Sequence, residues 1–414
     1  MTLWNPEWRI NLNGYGDYTN LTLSNITITS GRTDIYSQPT AGYCSMEIIN
    51  LDETAIEVDV NDQVTIEIKD STGTYVPLFG GFVTDIDVTV TKGGSQTVSE
   101  VIKLVALGAL SKLPKALTTG VLSKDFDGNQ INTILTDLLV NNWNEVPATE
   151  TWNAYNPTTT WANAENVGLG TIDMPGNYEL TSRSSDLTDA YSLIALLANS
   201  GLGYIYEDAY GRISYADSTH RADYLAANGY TALDANQAYA PGMRTVKRIG
   251  DIRNDVTITY KANATKTASD AQSISLYGKQ AQNIQTTLEN AVDAQDQANF
   301  YLGIRAFPEA QFRAITFPLG STEIDNADRD TLLNVFMGLP LDISNLPSNI
   351  LNGGFQGFVE GWTFQASYNG LNITLNLSPT AYSIQTTRWD RVNAAETWNT
   401  INASLEWLDA TIVA

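Results

Sequence analysis

Gly354-Phe-Gln-Gly-Phe-Val-Glu-Gly-Trp-Thr-Phe364 lies over Leu78-Phe-Gly-Gly-Phe-Val-Thr-Asp-Ile-Asp-Val88 as Phe-x-Gly-Phe-Val, two variable positions, then apolar residues at alternate places. Alternation at period two is the pattern of a strand with one face buried. Each copy runs on through a Gly-containing turn into a second alternating strand, Val98 to Leu107 in one case and Leu371 to Leu377 in the other. The repeat is therefore a hairpin with its neighbours, and it predicts one β unit used twice in the chain.

Working outward from the first copy, the N-terminal stretch reads as successive strands: Trp8 to Leu12, Leu21 to Thr29, Tyr43 to Asn50 and Gln63 to Lys69, with a turn at Asn13-Gly14. Apolar residues at 131, 134, 135, 138 and 139 predict a helix from Gln130 to Val140, with Asp127 as its cap. A second helix is expected from Thr188 to Asn199, covered by a hairpin of Gly201 to Tyr206 and Gly211 to Tyr215. Asp255 to Tyr260 and Gln311 to Phe317 read as strands, and Thr287 to Leu302 and Ala327 to Phe336 as helices. The expected fold class is mainly β with α+β insertions: two tandem β-barrel domains, a small α+β domain and short tryptophan-repeat β modules. The boundaries fall at 1–118 for the first barrel, 119–180 for a helix plus tryptophan module and 181–245 for the α+β domain. A second barrel with a helical insertion spans 246–382, and a C-terminal tryptophan module spans 383–414.

Those modules carry a second repeat. Trp143, Trp152 and Trp161 stand nine residues apart, as do Trp389, Trp398 and Trp407. A spacing of nine would put successive indoles on opposite faces of a strand or a helix, so each unit must contain a turn. Pro147 and Asn156-Pro157 supply one in the first module. The indoles either stack as the core of a unit too small for an aliphatic one, or form a surface that holds a protein partner or a sugar ring.

Charge and cysteine narrow the classes. The 414 residues carry 46 acidic against 23 basic side chains, a formal net charge of −23. Such a surface repels phosphate backbones and anionic membranes, which argues against sequence-specific nucleic-acid binding. A single cysteine, Cys44, excludes an intramolecular disulfide framework, and no apolar run is long enough for a membrane helix. The N-terminus has no basic start followed by an apolar run, so a cytoplasmic origin is expected.

Enzymatic readings find little support. His220, the one histidine, stands at a predicted helix start where capping or surface exposure explains it, and Cys44 sits inside a strand as a small core residue. Asp125-Phe-Asp127-Gly128 imitates part of a calcium loop, but Ile134 occupies the position of the bidentate glutamate. Glu360 stands opposite Thr84 of the other copy and reads as a solvent-facing strand residue. The expectation is no enzyme, no catalytic or metal-binding residue and no cofactor.

Ser30-Gly-Arg-Thr-Asp-Ile-Tyr-Ser-Gln-Pro39, Gly42 to Asn50 and Pro77-Leu-Phe-Gly-Gly-Phe-Val83 resemble the opening of minor tail or hub proteins of long-tailed siphophages, especially those of actinobacteria. The tryptophan nonapeptides, Asp251 to Ile258 and the region from Tyr277 to Leu302 continue the resemblance, which rests on element order over essentially the whole chain. It implies tube-type barrels and a homotrimeric baseplate hub, similar to the hub of contractile phages and the spike base of type VI secretion systems. Three chains would present six barrels, matching a hexameric tail tube to a trimeric tip. The implied partners are the distal tail or tail tube protein, the tape measure protein and other minor tail or tip proteins. DNA would pass through the lumen, and the protein would reside at the virion tail tip after assembly in the host cytoplasm. The alternative is a receptor- or carbohydrate-binding tail component that uses the six tryptophans.

Overall fold

In the computed structural model, residues 4–12, 17–18, 22–50, 56–91, 99–118, 120–136, 168–239, 243, 245–261, 263–308, 311–312, 314–349, 353–367 and 370–382 are described. The alternating segments form strands with one row inward. In β1 (Trp8–Leu12), β2 (Thr22–Gly31), β3 (Tyr43–Asn50) and β4 (Gln63–Lys69), Ile10, Ile28, Met46 and Ile66 are buried. The first repeat forms β5 (Tyr75–Thr91) and β6 (Ser99–Leu107).

The middle of the chain supplies α1 (Asp127–Thr136), β7 (Gly168–Ile172), α2 (Ala190–Ser200), β8 (Tyr204–Glu207), β9 (Arg212–Ala216), α3 (His220–Asn228), β10 (Thr231–Asp234) and β11 (Thr245–Val246). There follow β12 (Asp255–Tyr260), β13 (Ala264–Ser269), α4 (Ala271–Tyr277), β14 (Ala281–Gln285) and α5 (Ala291–Arg305). After β15 (Gln311–Phe312), which pairs with β11 in a small sheet of its own, the chain returns to the main sheet with β16 (Ala314–Pro318), followed by α6 (Asn326–Leu333), β17 (Pro340–Ser344), β18 (Phe355–Ser367) and β19 (Gly370–Pro379).

Both repeats lie in one twelve-stranded sheet, ordered β10-β17-β18-β2-β3-β6-β5-β4-β1 with Asp17–Tyr18 at the end, while β19 joins β18 to β16. The two hairpins match in register as well as in sequence. Phe82 pairs with Gln63 and Leu107, and its counterpart Phe358 pairs with Pro340 and Ser378. The ladders shift between Val83 and Asp85 in one and between Val359 and Gly361 in the other, a bulge at the same place. Val83 exchanges hydrogen bonds with Asn61 and Asp62, and Val359 does so with Gly338 and Leu339. Asn61 and Gly338 both have positive φ, 74° and 92°. Inward rows correspond too: Val64 and Ile66 with Leu341 and Ile343, Ile102 and Leu104 with Ile373 and Leu375.

A second core lies under the insertion, where Ile131 and Leu135 of α1 and Ile194 and Leu197 of α2 meet Ile205, Tyr215 and Val256. Helix boundaries differ from expectation for local reasons. α1 starts at Asp127, whose carboxylate accepts from the backbone of Asn177 and Tyr178 (both 2.8 Å) instead of capping its own helix. Asp189 and Asp325 cap α2 and α6, each accepting a backbone N–H three residues on at 2.8 Å. The predicted helix at Thr287 begins only at Ala291, because Leu288 is buried and bridged to Leu180 in extended backbone.

Candidate functional site

The two repeats meet where the outer half of β18, Gly361 to Ser367, pairs antiparallel with β2 from Gly31 to Asn25. Trp362, Phe364 and Ala366 turn inward along this joint and are 4%, 1% and 8% exposed. Backbone crowding is severe at one point. Gly31 has φ +84°, and a Cβ there would run into the Glu360 carbonyl oxygen and Gly361 Cα.

Glu360 occupies the bulge, and its side chain is fully buried. The expectation of a solvent-facing residue is corrected here: Glu360 is the extra residue of the bulge, and Arg32, Arg221 and Ser378 close over its carboxylate. Arg32 Nε donates to Oε2 at 2.6 Å, Arg221 Nη1 to Oε1 at 2.7 Å and Arg221 Nη2 to Oε2 at 2.9 Å, and the Ser378 hydroxyl also donates to Oε1. Burial by itself would raise this carboxyl. Attraction to Arg221 and Arg32, with the hydrogen bonds, outweighs it and holds the group down at about 2. Both guanidinium carbons lie over the Tyr204 ring, Arg221 at 4.6 Å and Arg32 at 5.3 Å from its centroid.

One carboxylate thus gathers β2's exit, α3 of the insertion and β19. Beside it lies a cavity of about 60 Å³, bordered by Arg32, Tyr36, Gln38, Tyr204, Arg221 and Tyr301. The insertion is fastened by two further side chains. Gln38 donates to Asn199 Oδ1 and the Gly203 carbonyl and accepts from Ile205 N, and Glu207 accepts from the backbone of Gly42 and Leu110. Burial pushes Glu207 up to about 7 against those two hydrogen bonds.

Of the residues singled out from sequence, Glu360 lies in this cluster, while His220, Cys44 and Asp127 fall elsewhere. Trp143, Trp152, Trp161, Trp389, Trp398 and Trp407 lie outside the described residues. His220 opens α3 with its Nδ1 2.7 Å from Asp173 Oδ2, and Cys44 is fully buried in β3, where burial pushes its thiol up. Asp127 Oδ2 accepts the Tyr215 hydroxyl, so the aspartate of the calcium-like segment is spent inside the second core. Sequence reasoning missed Arg32, Arg221 and Glu207 altogether. The one available signal was Glu360 itself, a charge in the apolar run Phe-Val-Glu-Gly-Trp.

No protein-family model matches the chain, and no curated protein matches it by sequence. Solved structures do match it. The 43 kDa tail protein of prophage MuSo2 from Shewanella oneidensis superposes with TM-score 0.57 at 11% identity, covering 92% of this chain and 99% of its own. This chain has the fold of phage tail proteins. A tail protein from Neisseria meningitidis MC58 gives TM-score 0.59 at 12% identity, with 92% and 98% covered. Prophage tail protein gp18 from Listeria monocytogenes EGD-e gives 0.50 at 8%, with 90% and 95% covered. Each of the three superpositions takes in nine-tenths or more of this chain.

Proposed function

We propose that this chain is a structural component of a phage tail, a homotrimeric hub at the tail tip that adapts a hexameric tail tube to a trimeric tip and lines the DNA channel. The observation that carries the reading is the repeat in register about Val83 and Val359, within a fold shared with phage tail proteins. We read the two repeats as tandem tube-type barrels, with the insertion fastened between them by Glu360, Arg32 and Arg221. A hexameric contact needs one surface offered six times, and a duplicated unit offers it from three chains.

The same reading makes the tail tube or distal tail protein, the tape measure protein and other tip proteins the partners, and the virion the location. A net charge of −23 suits a wall past which DNA slides without adhering, in place of a sequence-reading surface. Nor is catalysis part of the reading: Glu360, the deepest carboxylate at the joint, is held ionised by two arginines and is a poor proton donor.

The test is the mass and projected symmetry of the purified protein, by light scattering with negative-stain class averages. Threefold rings of six similar lobes around a hole support the hub. A stable dimer, or a ring without threefold symmetry, refutes it.

A further inference from the structure

The inner half of β5 is flanked on both edges, by β4 and β6, but beyond Val83 only β6 remains among the described residues. Its outer half, Asp85 to Thr91, corresponds to the stretch of β18 that pairs with β2. The difference shows in the side chains. Phe364 and Ala366 are buried at 1% and 8%, whereas their counterparts Val88 and Val90 stand 51% and 58% exposed. An open edge with exposed valines is a template for another strand.

The second repeat contains the strand that would fit. β19 and β6 correspond at Thr374 and Lys103, which makes Thr316 the counterpart of Glu47. Counting back along that strand, Phe312 corresponds to Tyr43. Their partners are Thr245 and Thr29, so β11 stands where β2 stands in the first repeat. Among the described residues β11 is paired only with β15, and Lys247 and Arg248 beyond it are exposed. β2 covers the edge of β18 inside one chain, but among the described residues nothing performs that service for the outer half of β5.

We infer that the outer edge of β5 pairs antiparallel with the β11 segment of a second copy of this chain, in the register that β18 and β2 use internally. This rests on the hub reading and names the surface by which the copies meet. The internal pairs Gly361 with Gly31 and Thr363 with Thr29 map to Asp85 with Lys247 and Asp87 with Thr245. Opposite charges face each other where the internal joint has two glycines, and Arg248 lies one residue further on. Because the two edges differ, the contact is head-to-tail, and it closes only by completing a ring.

Single-cysteine variants test the register directly. Paired strands bring opposite Cα atoms to about 4.5–5.5 Å, within disulfide reach, and Cys44 is fully buried and stays out of the reaction. Asp85→Cys and Lys247→Cys, mixed in equal amounts and gently oxidised, should give a covalent dimer that neither variant gives alone. The doubly substituted chain should give a ladder ending at three. No dimer in the mixture, or efficient dimers of Asp85→Cys alone, overturns the inference. Light scattering on the unmodified chain separates the two readings: threefold rings without the cross-link refute this edge and leave the hub, while a cross-linked ladder running past three keeps the edge and refutes the trimer. As a second readout, Asp85→Lys and Lys247→Asp should each disperse the oligomer and together restore it.

Discussion

Arg221 grips Glu360 with two nitrogens at 2.7 and 2.9 Å, joining α3 to the bulge of β18 across a site where neither side chain is more than 4% exposed. Replacing one partner leaves a buried charge uncompensated, which costs about 3–5 kcal/mol. Glu360→Ala, which strands two arginines, should destabilise the chain by that amount in urea or guanidinium unfolding, whereas Thr84→Ala at the equivalent bulge should cost under about 1 kcal/mol. Equal effects at the two positions would mean that the ion cluster contributes nothing specific.

The same carboxylate gives stability an acid limit. Its folded pKa lies near 2, below the ordinary value of 4.5. Its contribution is therefore complete above about pH 4.5 and is lost as the pH falls from there through 2. Unfolding free energy measured between pH 5 and pH 2 should fall more steeply in the unmodified chain than in Glu360→Gln.

Asp127 has the opposite sign. Burial raises its carboxyl to about 6 despite the hydrogen bonds from Tyr215, Tyr178 and Asn177, so the folded state holds a proton that the unfolded state releases near 3.8. Stability from this group falls as pH rises from about 4 through 6, by an amount on the order of 2–3 kcal/mol. In Asp127→Asn, Oδ1 can keep both backbone donors and the amide can donate to the Tyr215 oxygen. The variant should match or exceed the unmodified chain at pH 8 and lose its advantage at pH 4, read by thermal unfolding across the range.

Gly31 tolerates no side chain. Positive φ and the contact with Glu360 and Gly361 together predict that Gly31→Ala costs about 2 kcal/mol or more. Gly73, also at positive φ but with nothing near its Cβ position, should lose about 1 kcal/mol on the same change. Denaturation midpoints of the two variants measure the difference, which isolates the crowding at the joint.

Phe364 and Val88 hold corresponding places in the two repeats, one buried and one exposed. Phe364→Ala should cost about 3–5 kcal/mol of folding stability. Val88→Ala should change it by no more than about 0.5 kcal/mol while weakening assembly, and chemical denaturation alongside light scattering reads both quantities.

Alternation and glycine placement determined a good deal in advance. Trp8–Leu12, Tyr43–Asn50, Gln63–Lys69 and Asp255–Tyr260 are strands at the bounds read from the sequence, because a side-chain period of two is a local property that burial on one face enforces. The kinship of the two hairpins was likewise legible, since Phe-x-Gly-Phe-Val keeps the residues that make the bulge and its packing. What only the tertiary structure decided is what each copy meets. Glu360 and Thr84 occupy one position in one motif, yet the first is sealed between Arg32 and Arg221, brought from 328 and 139 residues away, and the second bonds to its own hairpin. Whether a strand edge is covered depends on such long-range partners, and no periodicity within a strand records them.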